Sequence, residues 1–254
     1  AGTIGFVGRA NIWVDESLND NSSSMFVQYL IATALLNTDP GQLEVITYDD
    51  TLSGLAAPFQ DINNGGERLL QVINEPSELL GCLNYLRYHV QGVANVIQGR
   101  ASTLTEFRRT VGYPIESYKL VVLSTDFDLL GEDIQNAVRT LAKAGPRNGV
   151  SFIIHSTSFG VNEFFLDMFQ RISVSGYKLL DKYGNAFGSF MGTNAEDLIG
   201  AAQKVRDELI STAVPVVPFA EIEPLDGEWL HSSRDGITFT VGRYGMSPIA
   251  ITLG

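Results

Sequence analysis

The chain has 254 residues, of which 44% are apolar and 18% charged, so a folded core is expected and wholesale disorder is excluded. Its 17 basic and 29 acidic residues give a formal net charge of −12, which argues against the positive surface of a nucleic-acid-binding domain. The single cysteine, Cys82, excludes an internal disulfide and a zinc site of several cysteines. Because no apolar run approaches about 18 residues and no basic stretch opens the chain, we predict no membrane segment, no signal peptide and a cytoplasmic location.

The first half of the chain alternates between strand and helix patterns. Residues 3–15 predict two short strands joined near Gly8, an N-terminal hairpin. A polar cluster then precedes a buried helix over residues 25–36. The pattern continues with a strand at 43–48, a loop at 53–64, a short strand at 69–73, a long helix at 76–98 and a short helix at 104–110.

Residues 118–159 form the unit around which the rest is organised. Leu120–Leu123 and Val150–Ile154 are short apolar runs rich in β-branched residues, typical of strands covered on both faces. The helical spacing of apolar residues between them predicts a right-handed crossover and hence parallel strands. Open parallel sheets bind ligands beyond the carboxyl ends of their strands, so any site should include residues 124–126 and 155–157.

The remaining elements are a short helix at 162–169, a strand pair at 171–180 and 186–190, and a helix at 195–211. Three prolines between residues 214 and 224 indicate an extended connector, and residues 236–253 predict another hairpin. We therefore expect a domain over residues 1–213, followed by the connector and C-terminal hairpin at 214–254.

Several segments follow one another in an order known from one family. Ala57, Pro58 and Phe59 lead to an acidic residue, Asp61, and Glu106-Phe107-Arg108 lies on the short helix. Leu120–Asp126 is similar to a Walker B strand, and residues 145–157 are similar to a GRxxGIHLxLATQ segment. This order, over residues 25–159, resembles the motor domain of FtsK/SpoIIIE-type translocases, in the FtsK/HerA branch of RecA-like P-loop ATPases. The resemblance implies an α/β fold: a three-layer αβα RecA-like domain whose mostly parallel sheet has flanking β-hairpins.

The sequence departs from this family at the phosphate loop. P-loop ATPases cradle phosphates with glycine N–H groups and a lysine, in the motif GxxxxGK[ST], and the sequence contains no such motif. The corresponding position holds Asn21, Ser22, Ser23 and Ser24, and we interpret Asn21 and Ser22 as an ordinary N-cap. Glu16 and Asp20 beside it would repel a triphosphate.

The Walker B and sensor positions differ as well. Thr125 stands where the family has its Mg²⁺-orienting aspartate, Asp126 where it has the water-polarising glutamate, and Thr157 where it has glutamine. A one-residue slip would give Asp126 or Asp128 a metal role, and helix-start capping is the alternative. We expect His155 to form hydrogen bonds at a strand end rather than to act as a base.

Two further features depend on the resemblance. Pro146 replaces the arginine of the family's GR pair, and Arg147 follows one position later, either as an arginine finger acting in trans or as a solvated turn residue. Gly242-Arg243 and Pro248 resemble the hairpin that precedes a phosphate loop in this family, so a further motor unit is expected after residue 254.

The favoured hypothesis is a non-catalytic copy of the FtsK-like fold, a pseudo-ATPase, serving as a structural, regulatory or protein-interaction unit of a larger DNA or protein translocase. It has no confident catalytic residue, no metal and no cofactor, and its partners are other motor domains of the same or a homologous chain, or a partner protein. Direct contact with nucleic acid is not expected. The alternative is an active ATP-dependent DNA translocase domain that uses ATP and Mg²⁺ at an atypical or trans-supplied site.

A third hypothesis is a binding module of unrelated ancestry with a doubly wound sheet. A von Willebrand A-like domain would need DxSxS after its first strand, and none is present. Strand order separates the hypotheses, because a RecA-like core places the Leu120 strand centrally, between the Leu43 and Val150 strands or beside the first strand.

Overall fold

The computed structural model describes residues 6–17, 20–65, 68–112, 116–213, 237–244 and 247–253. Its centre is an eight-stranded sheet with the order β3-β2-β4-β5-β1-β6-β7-β8. The strands from β3 to β6 in this order pair in parallel, whereas β7 and β8 continue the sheet in antiparallel fashion. In chain order the strands are β1 Ile12–Asp15, β2 Leu43–Asp49, β3 Leu70–Ile73, β4 Tyr118–Ser124, β5 Val150–Ser156, β6 Gln170–Ser175, β7 Lys178–Leu180 and β8 Ala186–Ser189.

The strand order confirms the prediction for a RecA-like core. β4 lies between β2 and β5, with Val121 opposite both Ile46 and Phe152. β5 is buried along its whole length, because helices cover both faces of the sheet, and this explains the continuous apolar run in its sequence.

Helices cover the sheet in two layers, which confirms the αβα architecture. On one face, α1 and α6 share a core with side chains such as Ile12, Val122 and Ile153. On the other face, α2 and α4 pack over Trp13, Val121 and Phe152. The helices are α1 Ser22–Leu36, α2 Pro76–Ile97, α3 Leu104–Val111, α4 Glu132–Ala144, α5 Glu163–Leu166 and α6 Ala195–Ala213.

Two local predictions differ from the structure. β1 pairs in parallel with β5 on one side and β6 on the other, so it cannot be half of an N-terminal hairpin, and residues 7–9 form a turn before it. The strand predicted at 171–180 is itself a hairpin of β6 and β7 that turns at Gly176. The first error arose because apolar alternation marks a strand but not its partner, and the second because the turn at Gly176 lies inside a continuous strand-like pattern.

The chain divides into two compact units, Ala1–Leu209 and Ile210–Gly254. The described strands of the second unit, β9 Ile237–Tyr244 and β10 Ser247–Leu253, pair antiparallel where the second hairpin was predicted. The predicted connector at 214–224 lies outside the described residues. None of the helices in the described part of the chain has both the length and the apolar character of a membrane span.

Candidate functional site

The candidate site lies at the carboxyl edge of the sheet, where β1, β4 and β5 end and α1 begins. Ser124 is the register partner of His155, and Val14 pairs with His155 from the other side. Parallel pairing therefore brings the two predicted segments, residues 124–126 and 155–157, to one place, as expected from strand direction.

A buried hydrogen-bond chain crosses this site. Ser23 Oγ lies 2.9 Å from His155 Nε2, and Ser124 Oγ lies 3.0 Å from His155 Nδ1. All three side chains are buried, with His155 only 5% exposed. Desolvation lowers the pKa of His155 from 6.5 to about 4, against a smaller opposing effect of the Asp49 charge. The imidazole is therefore neutral at pH 7, accepting a hydrogen bond at one nitrogen and donating at the other, which confirms the expected hydrogen-bonding role.

The start of α1 is closed by neighbouring side chains. The N–H of Ser22 donates to Asp20 Oδ1 at 2.9 Å, and the N–H of Ser17 donates to Ser23 Oγ at 2.9 Å. Asn21 occupies the N-cap position, but its side chain makes no capping hydrogen bond, so the cap predicted there is supplied by Asp20. Hydrogen bonding by the side chain of Ser22 and by its N–H lowers the pKa of Asp20. An exposed carboxylate is thus already bound where an anion would meet the helix N-terminus.

The other predicted residues of the α1 start contribute unequally. Ser22 Oγ lies 3.1 Å from Ser17 Oγ, and Ser23 joins the His155 chain. Ser24 is half-buried, one residue further along the helix. The contribution of Ser17 was missed in the sequence, because a lone serine in a loop gives no pattern that points to a partner.

Thr125, at the end of β4, stands where the family has its Mg²⁺-orienting aspartate, and its side chain bonds to another residue of the chain. Thr125 is buried and donates to Asp50 Oδ2 at 2.7 Å, so its hydroxyl is tied to the end of β2. Asp126 is exposed at the start of a short 3₁₀ helix, Phe127–Leu129, and makes no side-chain capping bond. Asp128 is exposed beside Gly160. In the described part of the chain, no group of three or more His, Cys, Asp or Glu side chains is arranged to hold a metal ion.

The end of β5 connects back to the β4 loop. Ser156 Oγ accepts a hydrogen bond from the N–H of Phe127 at 2.9 Å and donates to the carbonyl of Thr157 at 3.2 Å. Thr157 Oγ1 accepts from the N–H of Phe159 at 3.2 Å, so the residue at the predicted sensor position bonds within its own turn. The linking role of Ser156 was not visible in the sequence.

Arg147 lies at the opposite, amino edge of the sheet. It belongs to the 3₁₀ helix Pro146–Asn148 that precedes β5, it is exposed, and its Nε donates to the carbonyl of Ser102 at 3.3 Å. The seven residues of β5 separate the two edges by about 20 Å. Arg147 therefore cannot reach the carboxyl-edge site of its own domain, and both predicted roles, in trans or as a turn residue, remain predictions.

The chain is similar to known proteins in structure, and its sequence alone gives no match. No family model and no curated protein matches the sequence. EssC (ATPases 2 and 3) from Geobacillus thermodenitrificans superposes with a TM-score of 0.64 at 14% identity, over 95% of this chain and 53% of that one. The cytoplasmic domain of EssC gives a TM-score of 0.65 at 13% identity, over 95% of this chain and 55% of that one.

A third similar structure is EccC (ATPases 2 and 3) of Thermomonospora curvata in complex with a signal sequence peptide, with a TM-score of 0.59 at 14% identity over 95% of this chain and 50% of that one. The chain has the RecA-like fold of these ATPase domains. It spans about half the length of the solved structures it matches.

Proposed function

We propose that this chain is a non-catalytic unit of the FtsK/SpoIIIE type, a pseudo-ATPase within a larger DNA or protein translocase. The observation that carries the proposal is the hydrogen-bond chain Ser23–His155–Ser124. In P-loop ATPases a Ser/Thr at the helix start and an aspartate at the Walker B strand end together hold Mg²⁺. Here a neutral imidazole links the helix start to the strand end, so the interval that would take a cation is filled by His155.

The phosphate side of the site supports the same conclusion. Asp20 binds the N–H of Ser22 with its own carboxylate, and Glu16 adds a second exposed negative charge in the same loop. The loop has no lysine to neutralise a triphosphate and no glycine to bring backbone N–H groups close to it. A nucleotide there would have to displace an internal anion and then face uncompensated repulsion.

The water-activating side retains a single group. Asp126 is an exposed carboxylate at the end of β4, whereas the neighbouring Thr125 is engaged with Asp50. One carboxylate, with no lysine in the loop and Thr125 at the position of the Mg²⁺-orienting aspartate, does not assemble the phosphoryl-transfer site, in which positioning and charge neutralisation supply most of the catalysis. We therefore propose that the copy needs no cofactor, and that ATP and Mg²⁺ act at other units.

The similar structures suggest where such a unit works. Two are described as pairs of ATPase domains, and this chain matches about half of each. We infer that it packs against other motor domains of the same or a homologous chain, or against a partner protein, in the cytoplasm. In that arrangement an inactive domain contributes through its interfaces, while the transported substrate, DNA or protein, is engaged elsewhere.

Steady-state hydrolysis of ATP by the full chain with millimolar magnesium tests this proposal. We expect no turnover above a heat-denatured sample, and the same result for Asp126→Asn. Turnover that disappears in Asp126→Asn would instead show a working site and favour the active translocase. A second test separates the same two functions: calorimetric binding of magnesium-ATP that Asp126→Asn weakens counts against the pseudo-ATPase.

A further inference from the structure

A second concave surface lies at the amino edge of the sheet. It consists of two adjoining cavities of about 450 Å³ and about 280 Å³ that share Arg9, Thr105 and Arg109 in their walls. Arg108 lines the larger cavity and Arg147 the smaller one. We call these two cavities the arginine groove. It contains four of the 17 basic residues of a chain whose net charge is −12.

Arg108 is held in place as a binding group would be. Its Nη2 donates to Gln42 Oε1 at 2.7 Å, and its guanidinium stacks 4.7 Å from the centre of the Tyr118 ring. The Tyr118 hydroxyl is itself fixed by Thr105 Oγ1 at 3.0 Å. Nη1 of Arg108 is shielded from solvent and has no hydrogen-bond partner among the described residues. The contacts with Gln42 and Tyr118 therefore hold the Arg108 charge in the wall of the larger cavity, where it attracts an anion in that cavity.

The backbone beside Arg9 is fixed by its contacts with β5. The N–H of Gly8 donates to Ser151 Oγ at 3.0 Å, and Ser151 Oγ donates to the carbonyl of Phe6 at 2.8 Å. Gly8 has φ = 65°, and a Cβ there would lie 2.7 Å from the Tyr118 ring. Glycine at position 8 therefore fits this turn better than a residue with a side chain. Arg9, the next residue, is exposed.

The charge of the arginine groove is not cancelled internally. Among the described residues, none of Arg9, Arg108, Arg109 and Arg147 forms an ion pair with a carboxylate. Two acidic residues of the described part of the chain line the groove: Asp39 is exposed, and the Glu106 carboxylate accepts a hydrogen bond from the N–H of Ser102 at 2.8 Å. Four guanidinium groups against two carboxylates leave a net positive site.

We propose that the arginine groove binds a ligand with a chain of two or more phosphoryl groups, either a nucleoside polyphosphate or inorganic polyphosphate. Arginine presents paired N–H donors that match phosphate oxygens two at a time, and two adjoining cavities accommodate consecutive phosphoryl groups. The site goes beyond the proposed function, because it lies about 20 Å from the carboxyl edge and uses none of its residues.

Calorimetric titration of the full chain with inorganic triphosphate and, separately, with ATP tests the inference, with EDTA present to remove magnesium. We expect both to bind, and Arg9→Ala and Arg109→Ala each to weaken binding about tenfold or more, the loss expected for a charge-assisted hydrogen bond. Arg87→Ala is the matched control, since Arg87 is an exposed arginine on α2 outside the arginine groove, and it should leave the affinity unchanged. Arg109→Lys keeps the charge without the paired donors and should lie between Arg109→Ala and the unmodified chain.

The two ligands distinguish the two sources of the phosphate chain. Equal affinity for both means that only the phosphates are bound, and tighter binding of ATP means that the nucleoside contributes; either result supports the inference. The inference is overturned if neither ligand binds at millimolar concentration, or if binding survives Arg9→Ala and Arg109→Ala. It is also overturned if duplex DNA, titrated in the same way, binds while triphosphate and ATP do not. Because magnesium is absent and Asp126 is unchanged, failure here leaves the pseudo-ATPase proposal intact, and hydrolysis of ATP leaves this one intact.

Discussion

The two edges of the central sheet treat their polar side chains in opposite ways. At the carboxyl edge, Ser23, His155 and Ser124 satisfy one another, and the Asp20 carboxylate binds the first helical N–H. At the amino edge, a shielded nitrogen of Arg108 has no hydrogen-bond partner among the described residues, and Arg9 and Arg109 form no ion pair with a described carboxylate. At the edge where this fold usually binds ligands, hydrogen bonds link the polar side chains to one another, whereas arginines without an ion-pair partner among the described residues lie at the other edge.

The difference separates the architecture of the fold from the polar side chains at its edges. The β-strand order and both core layers depend on apolar side chains that the site residues do not supply. The buried hydrogen bonds of His155 with Ser23 and Ser124 form a network that contributes to stability. The contrast predicts that substitution of His155 at the carboxyl edge lowers stability, whereas substitution of the exposed arginines at the amino edge affects binding.

The largest effect is expected from His155→Ala. The substitution leaves the Ser23 and Ser124 hydroxyls without their partner and opens a cavity under α1, so the free energy of unfolding should fall by about 3 kcal/mol. Urea unfolding at pH 7 measures it. Arg109→Ala, at an exposed site, should change the same quantity by less than about 0.5 kcal/mol. If both substitutions cost the same, the contrast between the edges is wrong.

The second effect is a pH dependence of stability. The pKa of His155 is about 4 in the folded chain and about 6.5 when unfolded, so the unfolded state binds the proton first as pH falls. Stability is therefore complete above the unfolded pKa and is lost as pH falls from 6.5 towards 4. Between pH 7 and pH 5 the loss should be about 2 kcal/mol.

His89 must be separated from this effect, because burial lowers its pKa as well. Urea unfolding of the unmodified chain and of His155→Gln at both pH values gives the separation. His155→Gln should keep only the smaller dependence that His89 contributes. An unchanged pH dependence in His155→Gln would contradict the assignment.

The elements and their order were predictable from the sequence, because burial on both faces produces apolar runs and helical periodicity. The β4–α4–β5 unit is an example: its two strands and the helix between them lie where the pattern predicted. Pairing was harder, as the absent N-terminal hairpin shows. The sequence pattern predicted that β1 pairs within a hairpin, yet it lies between β5 and β6.

The candidate site was predictable in position but not in connectivity. Strand ends identified residues 124–126 and 155–157, and His155 was expected to form hydrogen bonds. The hydrogen-bond partners could not be inferred, because a side-chain hydrogen bond between distant segments leaves no periodic signal. His155 bonds to Ser23, 132 residues away, and Thr125 bonds to Asp50. The arginine groove was missed for the same reason: its four arginines come from three separate segments.

The third effect concerns the turn that carries Arg9. Gly8→Ala should lower the free energy of unfolding by about 1–3 kcal/mol, because the residue has φ = 65° and its Cβ would meet the Tyr118 ring. Gly112→Ala is the matched control: its φ is 76°, but no atom lies within 4 Å of the added Cβ. Thermal or urea unfolding should therefore rank Gly8→Ala as the more damaging. The reverse ranking would mean that the Tyr118 contact does not fix the turn.

The smallest effect is expected from Arg147→Ala. Arg147 is exposed and donates one hydrogen bond of 3.3 Å to the carbonyl of Ser102. Its removal should therefore change the free energy of unfolding by less than about 0.5 kcal/mol. Because Arg147 lines only the smaller cavity, triphosphate binding should weaken less than it does in Arg109→Ala, which affects both. Calorimetry of the two variants side by side makes the comparison. If Arg147→Ala weakened triphosphate binding as much as Arg109→Ala does, this prediction would be wrong. The bound phosphates would then lie mainly in the smaller cavity, and Arg147 would contribute as much as Arg108 to the charge of the amino edge.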